Sequence, residues 1–371
     1  MCNALKINDA KIASRKNLII EYKGLKEASS KFSAHYVTDA IFSLQVIQGP
    51  GLDEPDTDGD GIVDVFDVFP TDPTEWQDTD GDRVGDNADP DADNDGFTNA
   101  AETAATPPTD AFDPRLYPIT VPPSGTTTLI VDAASPASVS ARNGTSEAPY
   151  RSPTEALQVL RNEQAPLVHT LFLRAGLYAP STTQDVFPLD LSGLAHLTLR
   201  GEDRATTVLD AEYRNSVVVA GGGRNLVFED LTVTHGWLGL AVFGSEDIVI
   251  QRIESKDHNR HGLVVAATTG AVLQDNLVAS SRAISGIGIA GGTEAVLTRN
   301  VSRANPLHGI LVFTGSRADM RDNVFEDNGL TGILIDLNAT ATLTNNLTQG
   351  NALDGIIVSR HASATLTDNI T

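Results

Sequence analysis

The stretches Gly239-Leu-Ala-Val242, Gly262-Leu-Val-Val265, Gly286-Ile-Gly-Ile289, Gly309-Ile-Leu-Val312, Gly332-Ile-Leu-Ile335 and Gly355-Ile-Ile-Val358 repeat one short phrase, with glycines 23, 24, 23, 23 and 23 residues apart. A second ladder follows the last five glycines at a constant offset of 14 residues: Asn276, Asn300, Asn323, Asn346 and Asn369, each trailed by Leu, Val or Ile. A shorter column, Asn305, Asn328 and Asn351, marks another turn. A period in the twenties built from short β-type runs makes each unit one coil of a solenoid, which buries its apolar face only against its neighbours. A leucine-rich horseshoe has a compatible period but needs Leu at several fixed positions. These units instead offer two or three short alternating strands and an inward Asn column, so a parallel β-helix is expected. Coils then stack about 4.8 Å apart, and each Asn amide donates to the next.

The pattern resembles the right-handed parallel β-helix of the pectate-lyase-like proteins, over roughly residues 127–371. Asn143-Gly-Thr-Ser-Glu-Ala-Pro-Tyr150 and Leu171-Phe-Leu-Arg-Ala-Gly-Leu-Tyr178 look like the usual start of such domains. Between them, Ser152-Pro153-Thr154-Glu155 reads as a capping box with Pro at the first helical position. The helix it opens, to about Asn162, is expected to set Ala156, Leu157 and Leu160 over the open end of the first coil. The fold class read from the chain is therefore all-β, a right-handed parallel β-helix solenoid with an N-terminal capping helix, preceded by a helix-poor, Asp-rich Ca²⁺-binding segment. The domain division is residues 1–50 unassigned, 51–113 calcium-binding repeats, 114–126 a stiff Pro-rich linker, and 127–371 the β-helix.

The net charge of −23 is concentrated: residues 53–113 hold 17 Asp and 3 Glu against one basic residue, Arg83. Such acidity argues against nucleic acid and anionic membranes, which basic patches hold, and toward divalent cations. Three twelve-residue frames carry it. Asp56, Asp58, Asp60, Asp64 and Asp67 stand at positions 1, 3, 5, 9 and 12, with Gly61 at position 6 for the sharp turn. Asp78, Asp80, Asp82, Asp86 and Asp89 repeat that spacing, with Arg83 at position 6. Asp91, Asp93, Asp95, Asn99 and Glu102 form the third. A solvated acidic linker is the competing reading, but random acidity does not keep one spacing three times. EF-hands and dockerins need helices beside each loop, which Pro70, Pro73 and Pro90 leave no room for. The phrase Asp78-Thr-Asp-Gly-Asp-Arg-Val-Gly-Asp-Asn-Ala-Asp89 is similar to thrombospondin type-3 repeats in the cysteine-free form of bacterial surface proteins. That resemblance implies Ca²⁺ as the cofactor, held by the fifteen residues just named.

For catalysis the resembled fold implies a groove beside one sheet with an Arg, Lys or His base. The turn Lys256-Asp257-His258-Asn259-Arg260-His261 is the candidate, as base and charge clamp for an acidic sugar. The competing reading is an exposed polar turn, since a similar phrase recurs as Asn305-Pro-Leu-His-Gly309. His261, His308 and Asp354 share a column but stand roughly 10 Å apart per step, too far for a hydrogen-bonded triad. The sequence reading accordingly puts first a non-catalytic extracellular or cell-surface protein, in which a calcium-stiffened stalk presents a glycan-binding β-helix. The alternative is a polysaccharide lyase, epimerase or hydrolase.

Cys2 is the sole cysteine, so no intrachain disulfide forms. No run of apolar residues is long enough to span a membrane. Met1–Arg15 lacks the continuous apolar core of a signal peptide, and the final coil ends without a cap, so the natural protein is expected to extend further. Strand alternation turns Ala241, Val264, Gly288, Leu311, Leu334 and Ile357 outward. Leu311, Leu334 and Ile357 then form an apolar stripe expected to be covered by a partner, by residues 1–50 or by a missing segment.

Overall fold

The computed structural model describes residues 55–371 apart from 95–96, 106–107, 114–117, 119, 121, 162–166 and 283. The unassigned residues 1–50, the ligand candidate Asp95, parts of the linker and the expected end of the capping helix at Asn162 lie outside the described residues.

From Thr128 onward the chain winds into three parallel sheets, the first of ten strands and the second and third of eight each. One coil shows the pattern: Leu240–Phe243 in the third sheet, Glu246–Gln251 in the first, Glu254–Lys256 in the second, then Leu263–Ala266 back in the third. Like positions align from coil to coil, so that Leu240, Leu263, Ile287, Ile310, Ile333 and Ile356 form one column of direct partners. The first five are wholly buried. Each such side chain contributes about 1.5–3 kcal/mol by leaving water.

The repeating glycines follow from the narrow neck between the second and third sheets. A Cβ on Gly286 would stand 2.1 Å from Ser302 Oγ and 2.6 Å from Asn305 Nδ2. Here the residue is fixed by lack of space, because the backbone of each third-sheet strand lies directly on side chains rising from the second.

The asparagine ladder forms as the sequence reading expects. Asn323 Nδ2 donates to Asn346 Oδ1 at 2.9 Å and to the Leu297 carbonyl at 3.0 Å. Its own Oδ1 accepts from Asn300 N at 2.9 Å and Asn300 Nδ2 at 3.0 Å. The shorter column behaves alike, with Asn305 Nδ2 donating to Asn328 Oδ1 at 3.0 Å and Asn328 Nδ2 to Asn351 Oδ1 at 2.9 Å.

A third ladder went unread in the sequence. At the corner between the first and second sheets, Asp230, Arg252, Asp275, Arg299, Asp322, Asn345 and Asp368 succeed one another, all with φ between 52° and 60°. Arg252 clasps Asp230 through two bonds of 2.6 and 2.8 Å, and Arg299 clasps Asp275 through bonds of 2.7 and 2.9 Å. Each is the bidentate geometry in which guanidinium and carboxylate match best, and Arg252 holds the Asp230 carboxyl below its usual range.

The capping helix, Pro153–Leu160, packs on Thr128–Val131 and Leu189–Asp190 and buries Ala156, Leu157 and Val159, with Leu160 only partly buried. Ser152 Oγ accepts from Glu155 N at 3.1 Å, as a capping box requires. The reciprocal bond differs: Glu155 Oε2 accepts from Arg151 N, and Glu155 Oε1 pairs with Arg142 at 2.6 Å. In the outward column, Ala241 and Gly288 are buried while Val264, Leu311, Leu334 and Ile357 are half-buried. The imidazole of His261 lies over Gly288.

Candidate functional site

The Asp-rich loops fold around their own carboxylates. In the first, Asp56 accepts from Gly59 N at 2.8 Å and Gly61 N at 3.1 Å, Asp58 from Asp60 N at 3.2 Å and Asp60 from Ile62 N at 2.7 Å. The second repeats each bond: Asp78 with Gly81 N and Arg83 N, Asp80 with Asp82 N, and Asp82 with Val84 N. One carboxylate oxygen from each of Asp56, Asp58 and Asp60 falls within 4.8 Å of the others, and likewise for Asp78, Asp80 and Asp82.

Position 9 serves as a clasp. Asp64 takes the Thr57 N–H and hydroxyl at 2.7 Å each, Asp86 takes those of Thr79 at 2.7 and 2.8 Å, and Asn99 takes Ala92 N at 2.9 Å. The Thr at position 2, not singled out in the sequence, closes each of the first two loops. At position 12 the loops differ. Asp67 is only 8% exposed, and its Oδ2 has no hydrogen-bond partner. Asp89 is half-buried. Burial raises the Asp58 carboxyl, and the charges of Asp60, Asp67 and Asp56 push it further up against a backbone hydrogen bond that lowers it. The Asp67 charge therefore acts on the Asp58 carboxyl. In the third loop Asp91 is half-buried, Asp93 is buried, and Asn99 opens a short helix, Asn99–Ala104, that carries the buried Glu102. No helix separates the described loops from one another, but one forms the end of the third.

The candidate turn at Lys256–His261 is split by the fold. Lys256 is paired with Glu254 at 2.9 Å, and Asp257 takes a left-handed corner with φ 57°. His258 is fully buried, which corrects the expectation of a groove-facing base. It occupies the level at which Ser281, Asn305, Asn328 and Asn351 stand in later coils, and its Nδ1 accepts from Gly236 N at 3.1 Å as the amide oxygens of the three asparagines accept from the coil before each. That bond fixes the Nε2–H tautomer, and burial pushes its pKa down to about 3. His261 is half-buried with Nδ1 on the Ser285 carbonyl at 2.9 Å, and burial lowers its pKa too. Arg260 alone of the group is well exposed, its guanidinium 5.1 Å from the centre of the Trp237 ring.

Around Trp237 the fold assembles residues the sequence reading missed. His235 Nδ1 binds Asp210 Oδ2 at 2.8 Å, while Asp210 Oδ1 accepts from Glu212 N at 2.8 Å. The Tyr213 ring lies 4.9 Å from that of His235, tilted 52°, and carries the Arg282 guanidinium 4.4 Å from its centre. Trp237 is 50% exposed and the His235 side chain 37%. Neither Arg260 nor Arg282 has a salt bridge among the described residues. The edge between the second and third sheets therefore presents two aromatic faces, two guanidiniums seated on them by cation–π attraction, and an imidazole whose tautomer a carboxylate sets, with Nε2 as its other ring nitrogen. An imidazole so held can take up or give a proton at Nε2. No motif announces it, because the members lie in different coils.

The family model described as right handed beta helix region matches residues 215–371. Over this stretch the chain folds as a right-handed parallel β-helix. Among solved structures, this β-helix protein is similar to the A-module of a mannuronan C-5 epimerase from Azotobacter vinelandii, at 17% identity over 54% of this chain and 68% of that one, with a TM-score of 0.41. It is also similar to a pectate lyase at 12% identity over 68% and 80% of the two chains, TM-score 0.48. A periplasmic alginate epimerase aligns at 15% identity over 62% and 58%, TM-score 0.44. Among curated proteins nothing matches the sequence. No helix among the described residues is long and apolar enough to cross a membrane.

Proposed function

We propose that this β-helix protein works outside the cell on an anionic polysaccharide, gripping it along the edge between the second and third sheets and moving a proton at His235. The observation that carries this reading is the Asp210–His235 pair, 2.8 Å apart, set beside Tyr213 and two guanidiniums without a carboxylate partner among the described residues. Trp237 and Tyr213 offer the flat apolar surface on which sugar rings rest, and Arg260 and Arg282 favour a carboxylate-bearing ring over a neutral one. The Asp-rich segment is a calcium-braced spacer in this reading, with Asp56, Asp58, Asp60 and Asp67 holding one ion and Asp78, Asp80, Asp82 and Asp89 another. Calcium takes six to eight oxygens in a typical site, so carbonyls and water complete each shell.

The test is incubation with polyuronates and, in parallel, a neutral glucan, followed for unsaturated products, chain shortening or altered uronate configuration. Turnover of a polyuronate is expected, and His235→Ala should lower it by about 10²–10⁴-fold, the usual worth of a positioned acid–base group. Binding without any product supports the adhesive role instead. No retention of any polyuronate, with or without calcium, removes both.

A further inference from the structure

We infer that the first two Asp-rich loops fill in sequence, the Asp56–Asp67 loop binding Ca²⁺ more tightly than the Asp78–Asp89 loop, and that Asp67 and Arg83 set the difference. This rests on the calcium reading of the segment.

The two loops share a scaffold, bond for bond, so a difference in affinity must come from the positions where they diverge. At position 12, Asp67 is nine-tenths buried; its Oδ1 accepts from Phe69 N at 2.8 Å, and its Oδ2 has no hydrogen-bond partner among the described residues. A buried, unpartnered anionic oxygen is costly until a cation meets it, and that cost is recovered on binding. Asp89 is half-buried and keeps part of its hydration, so an ion gains less there. At position 5 the contrast has the same direction, with Asp60 half-buried and Asp82 exposed.

Position 6 adds a second term. Gly61 has φ 96°, and Arg83 is held at φ 77° in the equivalent place, where both N–H groups donate to the position-1 carboxylate. Glycine takes that conformation without strain, whereas an L side chain does not. Arg83 also adds a positive charge to the loop that an incoming cation must enter. Both effects weaken the second loop, and together they correspond to roughly tenfold or more in affinity.

Calorimetric titration of the full, chelator-stripped chain with Ca²⁺ alone reads this directly. Two separable steps are expected. Asp67→Asn should abolish the tighter step and leave the weaker one in place. Arg83→Gly should strengthen only the weaker step, by roughly tenfold. Steps that cannot be separated, a tight step that survives Asp67→Asn, or a weak step unmoved by Arg83→Gly each overturn the ordering. Absence of any Ca²⁺-dependent heat overturns the calcium reading itself.

Discussion

Taken from about pH 7.5 to about pH 5, the protein should lose about 2 kcal/mol of stability that the His258→Asn variant retains. His258 is neutral in the fold because burial pushes its pKa from 6.5 down to about 3. In the unfolded chain the same imidazole takes up a proton as pH falls through its ordinary value. Between these two values the unfolded state binds the extra proton, so stability falls with pH by about 1.4 kcal/mol per unit and is fully present only above the unfolded pKa. Asparagine is the natural replacement, since Asn305, Asn328 and Asn351 fill this level in later coils and use their Oδ1 to accept a backbone N–H. The variant keeps the acceptor for Gly236 N and removes the titrating group. Denaturant midpoints of both proteins across this range decide the matter, the difference between them cancelling the carboxylates they share. Parallel curves would show that His258 does not titrate on unfolding.

Asn323→Leu is expected to cost on the order of 3 kcal/mol, against a few tenths for Thr342→Leu on the exposed outer face of the first sheet. Leucine matches asparagine roughly in size, so packing is not the main loss. The substitution strands Asn300 N, which donates to Asn323 Oδ1 at 2.9 Å, and the Leu297 carbonyl, which accepts from Asn323 Nδ2 at 3.0 Å, both inside the solenoid where water does not replace them. It also cuts the amide relay between Asn300 and Asn346. Amide exchange resolved by coil is the suited measurement, because a solenoid can open at one junction while its ends remain folded. Equal effects of the two substitutions would place Asn323 on the wrong face.

The solenoid, its coil length, the inward columns and both Asn ladders are legible in the linear repeat. A strictly repeated residue stacks on its own copy, so one linear period carries the three-dimensional contact. The spacing of the Asp-rich loops was legible too, because a single tight curl of chain brings positions 1, 3 and 5 together. Which polar residues of a turn face the solvent depends instead on how the coils pack. His258 and Arg260 are two residues apart, yet one replaces an asparagine inside the wall and the other lies across Trp237. The alternating Asp230–Arg252 and Asp275–Arg299 clasps and the Asp210–His235–Tyr213–Arg282 cluster were equally hidden. Their members differ in residue type from coil to coil, so no period marks them, and only the stacking of coils brings residues 22 to 69 positions apart into contact.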